Sequence, residues 1–141
     1  MKNIYAILLI VLVVIGCSTT KNRQVSTDKS GTVNDTVRIA NDELEYEIII
    51  IDPGFNGWLA SRAKPRDFYS QQYMEARNRA WVVQWNINVV NYTRDRDLFQ
   101  MRIDYEPGTD YGYEVNYMLF NYLTYFQLTN NIQLGSYPAR I

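Results

Sequence analysis

The chain has no histidine and only one cysteine, Cys17, among its 141 residues. Without an imidazole, Ser-His-Asp and Cys-His nucleophile pairs are excluded. The same shortage excludes zinc sites built from Cys and His, and a lone cysteine leaves no partner for an intrachain disulfide. The fold must therefore rest on packing alone. Neither sign of charge dominates, with Lys+Arg 14 against Asp+Glu 15. That balance argues against broad nucleic-acid binding. Any catalysis would fall to carboxylates, Tyr, Lys or Arg, and any metal to oxygen ligands of the calcium or magnesium kind. No cofactor is expected.

What the chain does have is a basic start at Lys2 and an unbroken apolar run from Ile4 to Ile15, closed by Gly16 and Cys17. The run is shorter than the roughly 20 residues a spanning helix needs. Basic start, short apolar stretch and small residue fit a secretory signal. The sequence Val14-Ile15-Gly16-Cys17 resembles the lipobox of bacterial lipoproteins. That resemblance implies cleavage between Gly16 and Cys17, a diacylglyceryl group on the Cys17 thiol and an acyl group on the new amine. One acyl chain holds a protein only marginally, at about 0.8 kcal/mol per buried methylene, whereas several on one residue anchor it stably. Ser18 rather than Asp follows the cysteine, and no acidic cluster comes after it. By resemblance to lipoprotein sorting, this favours the outer membrane, with the domain facing the periplasm.

Residues 17–42 then read as the lipidated cysteine and a Ser/Thr-rich tether, 43–130 as the globular domain and 131–141 as a frayed tail. A tether with isolated apolar residues cannot bury enough surface to offset its ordering entropy. Thr36–Ala40 could instead add an edge strand. The domain opens on Glu43–Ile51, where four isoleucines in a row favour a strand. Asp52-Pro53-Gly54 stops it. Phe55–Ala63 fits one or two helical turns. Asp67 has the character of an N-cap for a long helix, Phe68 to about Val90. On that helix Tyr69, Tyr73, Ala76, Ala80, Val83, Ile87 and Val90 repeat at 4-3-4-3-4-3, one apolar stripe. Met74, Trp81 and Trp85 form a second stripe, and a helix with two stripes usually packs against two neighbours. Tyr92–Asp97 reads as a polar loop. Leu98–Asp104 alternates like a half-buried strand. A last helix, Tyr111 to about Leu128, is apolar on most sides and so buried by several elements.

Three constellations could carry chemistry. Asp104, Glu106, Asp110 and Glu114 could gather oxygens around calcium, although their spacing does not fit an EF-hand. The plainer reading is that Asp110 and Glu114 favour the start of the final helix through its dipole. Arg62, Lys64, Arg66, Arg77 and Arg79 interleave with Trp58, Tyr69, Tyr73, Trp81 and Trp85. Cations among aromatics can grip sugars or anionic lipid, or simply rim an aromatic core. If nothing covers Met74, Trp81 and Trp85, they form an apolar patch for a partner. Last, Asp52 and Asp104 at two strand ends could act as a carboxylate pair, provided both face one cleft.

The blocks Phe55–Tyr69 and Asp110–Tyr117, with the helix between them, resemble an uncharacterised family of short lipoproteins from Gram-negative bacteria. The resemblance covers about residues 44–130 and implies no activity or catalytic residues. The sequence therefore predicts an α+β domain, a small two-stranded sheet against a long central helix and a buried C-terminal helix. Its expected role is a lipid-anchored, non-enzymatic envelope module. Its partners would be the membrane, through the anchor, and an envelope protein or glycan. The competing expectation is a small hydrolase or calcium-binding protein using Asp52, Asp104, Glu106 and Asp110.

Overall fold

A computed structural model describes residues 36–91 and 97–141. The signal segment 1–16, Cys17, the tether as far as residue 35 and loop residues 92–96 lie outside the described residues. The order of elements is β1 (Thr36–Asn41), β2 (Tyr46–Ile51), α1 (Phe55–Arg62), α2 (Gln71–Val90) and α3 (Gly112–Asn130).

The domain is α+β, with one two-stranded antiparallel sheet. Its first strand is Thr36–Asn41, not Leu98–Asp104, so residues expected in the tether belong to the fold. Val37 and Ile39 alternate inwards against Ile50 and Ile48 across the register. A tight turn at residues 42–45 joins the strands, and closing so short a loop costs far less entropy than recruiting a strand some fifty residues downstream. Arg38 bridges the outer face, bonding Glu47 on β2 and Asp42 in the turn.

Residues 98–104 form no strand, and the expected alternation, with Phe99, Met101 and Ile103 on one inward face, breaks at Met101. Phe99 and Ile103 are buried and Met101 is exposed, and side chains of α2 replace a partner strand. The Asn86 amide donates to the Ile103 carbonyl and accepts from its N–H, both at 2.8 Å. The Trp85 indole N–H donates to the Met101 carbonyl at 2.8 Å.

α2 starts three residues later than expected. Ser70, not Asp67, is its N-cap, with the Ser70 hydroxyl accepting from the Tyr73 N–H at 3.2 Å. Asp67 sits at φ 68°, a left-handed conformation that no helix start uses. Its N–H instead donates to the Tyr113 hydroxyl.

α3 is the centre of the molecule, flanked by α2, β1 and α1. An unbroken run from Val115 to Gln127, apart from Met118, is buried. Phe55 of α1 packs edge-on to Tyr122. Residues 131–141 are not frayed. Asn131 ends α3 in a left-handed conformation, and the Leu134 N–H donates to the buried Gln127 side chain at 2.7 Å. Leu134 is fully buried, and Gly135, at φ 68°, passes against the Ala80 carbonyl. Among the described residues, no helix is long and apolar enough to cross a membrane.

Candidate functional site

The two stripes of α2 have opposite fates. Met74, Trp81 and Trp85, joined by Asn78 and Val82, face α3, and none is more than 6 % exposed. Trp81 lies against Phe120, and Trp85 against Phe99 and Phe126. The partner patch expected at Met74, Trp81 and Trp85 is therefore core. Two indoles and a thioether offer more apolar area than the Ala/Val stripe, and burial follows area. The 4-3-4 stripe of smaller residues faces outwards.

The exposed aromatics lie where α2 begins. Phe68, 57 % exposed, meets Tyr69 edge-on with ring centres 4.7 Å apart. Tyr69 stacks on Tyr73 at 4.6 Å, the planes within 3°. The Arg77 guanidinium caps Tyr73 at 3.3 Å and reaches over Tyr137 at 5.1 Å. At the other end the Lys64 ammonium lies over Phe68 at 5.4 Å. The ladder is braced from below, because Tyr69 and Tyr73 both rest edge-on against Phe120 of α3. Beside it Arg66 lies over Tyr117 and holds Glu114 through two hydrogen bonds, one of them 2.8 Å. Among the described residues Lys64 and Arg77 pair with no carboxylate. The surface thus presents two cations that meet no carboxylate among the described residues, Arg77 also donating to the Tyr73 carbonyl at 3.2 Å, separated by ordered ring edges.

A concavity of about 410 Å³ beside the ladder's helix is polar. It lies between the start of α2 and the loop before α3, lined by Gln71, Gln72, Glu75, Arg79, Thr109 and Asp110 among others. The Gln71 amide donates to Glu75 at 3.2 Å and to Asp110 at 2.7 Å. One nitrogen thus bridges two carboxylate oxygens, which lie no more than about 6 Å apart. Behind them sits a buried amide network. The Tyr105 hydroxyl donates to the Asn116 carboxamide oxygen at 2.6 Å, the Asn78 amide donates to the same oxygen at 3.2 Å, and the Asn116 amide donates to the Gly112 carbonyl at 2.9 Å. Burial, with the neighbouring Glu75 charge, pushes the Tyr105 phenol up to about 12. Burial likewise raises Tyr46 and Tyr122.

A family model described as "Family of unknown function (DUF6146)" matches residues 5–138. The chain belongs to this family. No curated protein and no solved structure matches it.

The acidic residues singled out in the sequence do not converge. Asp52 ends β2, where its carboxylate accepts from the Tyr125 hydroxyl at 2.9 Å and from the Gly54 N–H. The Asp104 carbonyl accepts from Tyr46, at the other end of β2. A six-residue strand separates them by about 20 Å, beyond the range of a glycosidase pair. Glu106 is held by its N–H, which donates to the Tyr111 hydroxyl. Asp110 accepts from the Gly112 N–H just ahead of α3, while Glu114, in the first turn, is taken by Arg66. Among the described residues no group of three or more His, Cys, Asp or Glu side chains is placed to hold a metal. Of the second constellation, Lys64, Tyr69, Tyr73 and Arg77 come together, whereas Trp81 and Trp85 lie beneath. Phe68 and Tyr137 complete the ladder, and sequence reasoning had not included them. The amide network was missed too, although Asn78 stands in step with Met74, Trp81 and Trp85 and Asn116 interrupts an apolar helix. A polar residue on a core stripe announces a buried hydrogen-bond partner.

Proposed function

We propose that this DUF6146 member is a lipid-anchored protein of the bacterial envelope, held through acylated Cys17 in the outer membrane and facing the periplasm. Its domain is a non-enzymatic binding module for an anionic envelope glycan. The anchor is supported by the basic start, short apolar run, Gly16 and Cys17. The family match begins at residue 5, inside that run, and takes in Cys17.

The observation that carries the binding role is the Lys64–Phe68–Tyr69–Tyr73–Arg77–Tyr137 ladder. Its rings are fixed by mutual stacking and by Phe120, so little side-chain entropy is lost on binding. Unpaired cations among aromatics favour a carboxylate-bearing glycan, with ring edges against sugar C–H faces and Lys64 and Arg77 on the acids. The competing hydrolase reading has lost its Asp52/Asp104 pair.

Co-sedimentation of the chain with isolated peptidoglycan tests the role. Phe68→Ala/Arg77→Ala is expected to weaken retention at least about tenfold, equivalent to about 1.4 kcal/mol, with the melting temperature held. Equal retention of this variant and the parent chain would overturn the ladder as the binding surface.

A further inference from the structure

Among the described residues, α2 carries an apolar seam whose C-terminal half, Val83, Ile87 and Val90, is exposed. Tyr73, Ala76, Ala80, Val83, Ile87 and Val90 recur at 3-4-3-4-3, the a/d spacing of a coiled coil. The core stripe of the same helix (Met74, Asn78, Trp81, Val82 and Trp85) lies on the opposite side, so the seam beyond Tyr73, from Ala76 to Val90, points away from α3. Val83 is 59 % exposed, Val90 54 % and Ile87 45 %. The C-terminal segment reaches α2 at the Ala80 carbonyl, Trp81 and Arg77. The polar cleft lines the other flank, through Gln72, Glu75 and Arg79.

We infer that this seam is the dimer interface of the chain, with α2 packing antiparallel against α2 of a second copy. Residue size selects the occupant and its direction. Antiparallel pairing centred between Ala80 and Val83 sets each Ala80 against the partner's Val83, each Ala76 against the partner's Ile87 and each Tyr73 against the partner's Val90. Alanine faces a larger residue in the inner layers, and Tyr73 meets Val90 in the outer one. Parallel pairing would stack Ala76 on Ala76 and Ala80 on Ala80, leaving voids, and would crowd the isoleucines.

Charge agrees. The residues flanking the seam include cations only in the N-terminal half, Arg77 and Arg79. The C-terminal half is flanked by Gln84, Asn86 and Asn91, and the last turn has no basic residue. Antiparallel pairing places Arg77 beside the partner's Gln84 and Arg79 beside the partner's Asn86. Each cation then faces a neutral amide and meets no like charge. The contact is isologous and closes on itself. A seam of this length, about 25 Å, buries on the order of 1,000 Å² in all, the low end of specific interfaces. The dimer is therefore weak and reversible. Tyr73 and Arg77 are shared with the ladder, so a second copy and a glycan compete for them.

The test mixes two full-length single variants, Ala80→Cys and Val83→Cys, in mild detergent under an oxidant, with the linked cysteines mapped by mass spectrometry. The expected product is the mixed disulfide joining position 80 of one chain to position 83 of the other, at least about tenfold over either like-with-like product. Adding Val83→Glu/Ile87→Glu to the Ala80→Cys chain and Ile87→Glu to the Val83→Cys chain is expected to abolish it without lowering the melting temperature, since both side chains are exposed. Only like-with-like products, no product, or linkage to a different polypeptide would each overturn the inference. Because Cys17 is mapped in the same spectra, a thiol left unacylated there contradicts the anchor without touching the dimer.

Discussion

The indole N–H of Trp81 donates to the main-chain carbonyl of Tyr137 at 2.9 Å, which ties the C-terminal segment to the middle of α2. This bond makes the last residues part of the core. It also sets Tyr137 beside Arg77, so the final rung of the aromatic ladder depends on a tryptophan beneath it.

Leu134→Ala tests how firmly that segment is held. Leu134 is fully buried and its N–H is taken by Gln127. The substitution is expected to cost about 2–5 kcal/mol, as for other fully buried leucines, measured as a fall in the urea midpoint at unchanged slope. A loss under 0.5 kcal/mol would mean the segment is peripheral.

The opposite fates of the two α2 stripes give a sharper contrast. Trp85→Ala is expected to remove about 3–5 kcal/mol, because it empties a site among Phe99, Tyr122 and Phe126 and frees the Met101 carbonyl. Val83→Ala, on the exposed stripe, is expected to stay within about 0.5 kcal/mol. Denaturation of both variants below the concentration at which chains associate settles the order.

Asn116 serves Tyr105 and Asn78 at once. Asn116→Ala strands the Tyr105 hydroxyl and takes one of two acceptors from the Asn78 amide, which keeps the Asn116 main-chain carbonyl at 3.1 Å; an unsatisfied buried group costs about 1–3 kcal/mol. The expected total loss is about 2–4 kcal/mol, whereas Tyr105→Phe, which removes a donor and leaves the Asn116 oxygen to Asn78, is expected to cost about 1 kcal/mol. Equal losses in thermal unfolding would mean that Asn116 is not the hub.

Tyr105 also sets an alkaline limit. Its phenol is raised to about 12 in the fold, against 10.0 for the free side chain. The folded chain holds this proton more tightly than the unfolded one, so its contribution is complete below pH 10 and declines as pH rises towards 12. Tyr46 and Tyr122, raised in the same direction by burial, deepen the decline. Tyr105→Phe should therefore show a shallower fall in stability between pH 10 and 12 than the parent chain. A fall of equal slope would remove Tyr105 from the alkaline transition.

The α+β class, the long helix and the buried last helix were legible because their apolar periods are strong. Three features were not, for separate reasons. Periodicity shows that α2 has two apolar stripes but not which is buried; side-chain area decides that, and Trp81 with Trp85 outweighs Ala76, Ala80 and Val83. Alternation at Leu98–Asp104 placed Phe99 and Ile103 inwards but Met101 with them, and Met101 is exposed, because the pattern carries no information about hydrogen-bond partners. Asn86 and Trp85 supplied what a neighbouring strand would have supplied. Thr36–Ala40 was legible only as an alternative edge strand, since its setting is polar and only Val37 and Ile39 mark its inner face. In the ladder, Tyr69, Tyr73 and Arg77 follow from helical spacing, but Tyr137 reaches them only through the return of the C-terminal segment.

The most direct test of the account is the intact mass of the chain recovered from the membrane fraction of cells expressing the full sequence. The account predicts loss of residues 1–16 and a Cys17 bearing diacylglycerol on sulfur and a further acyl chain on its amine. Recovery of the unprocessed 16.6 kDa polypeptide with a free Cys17 thiol would contradict it.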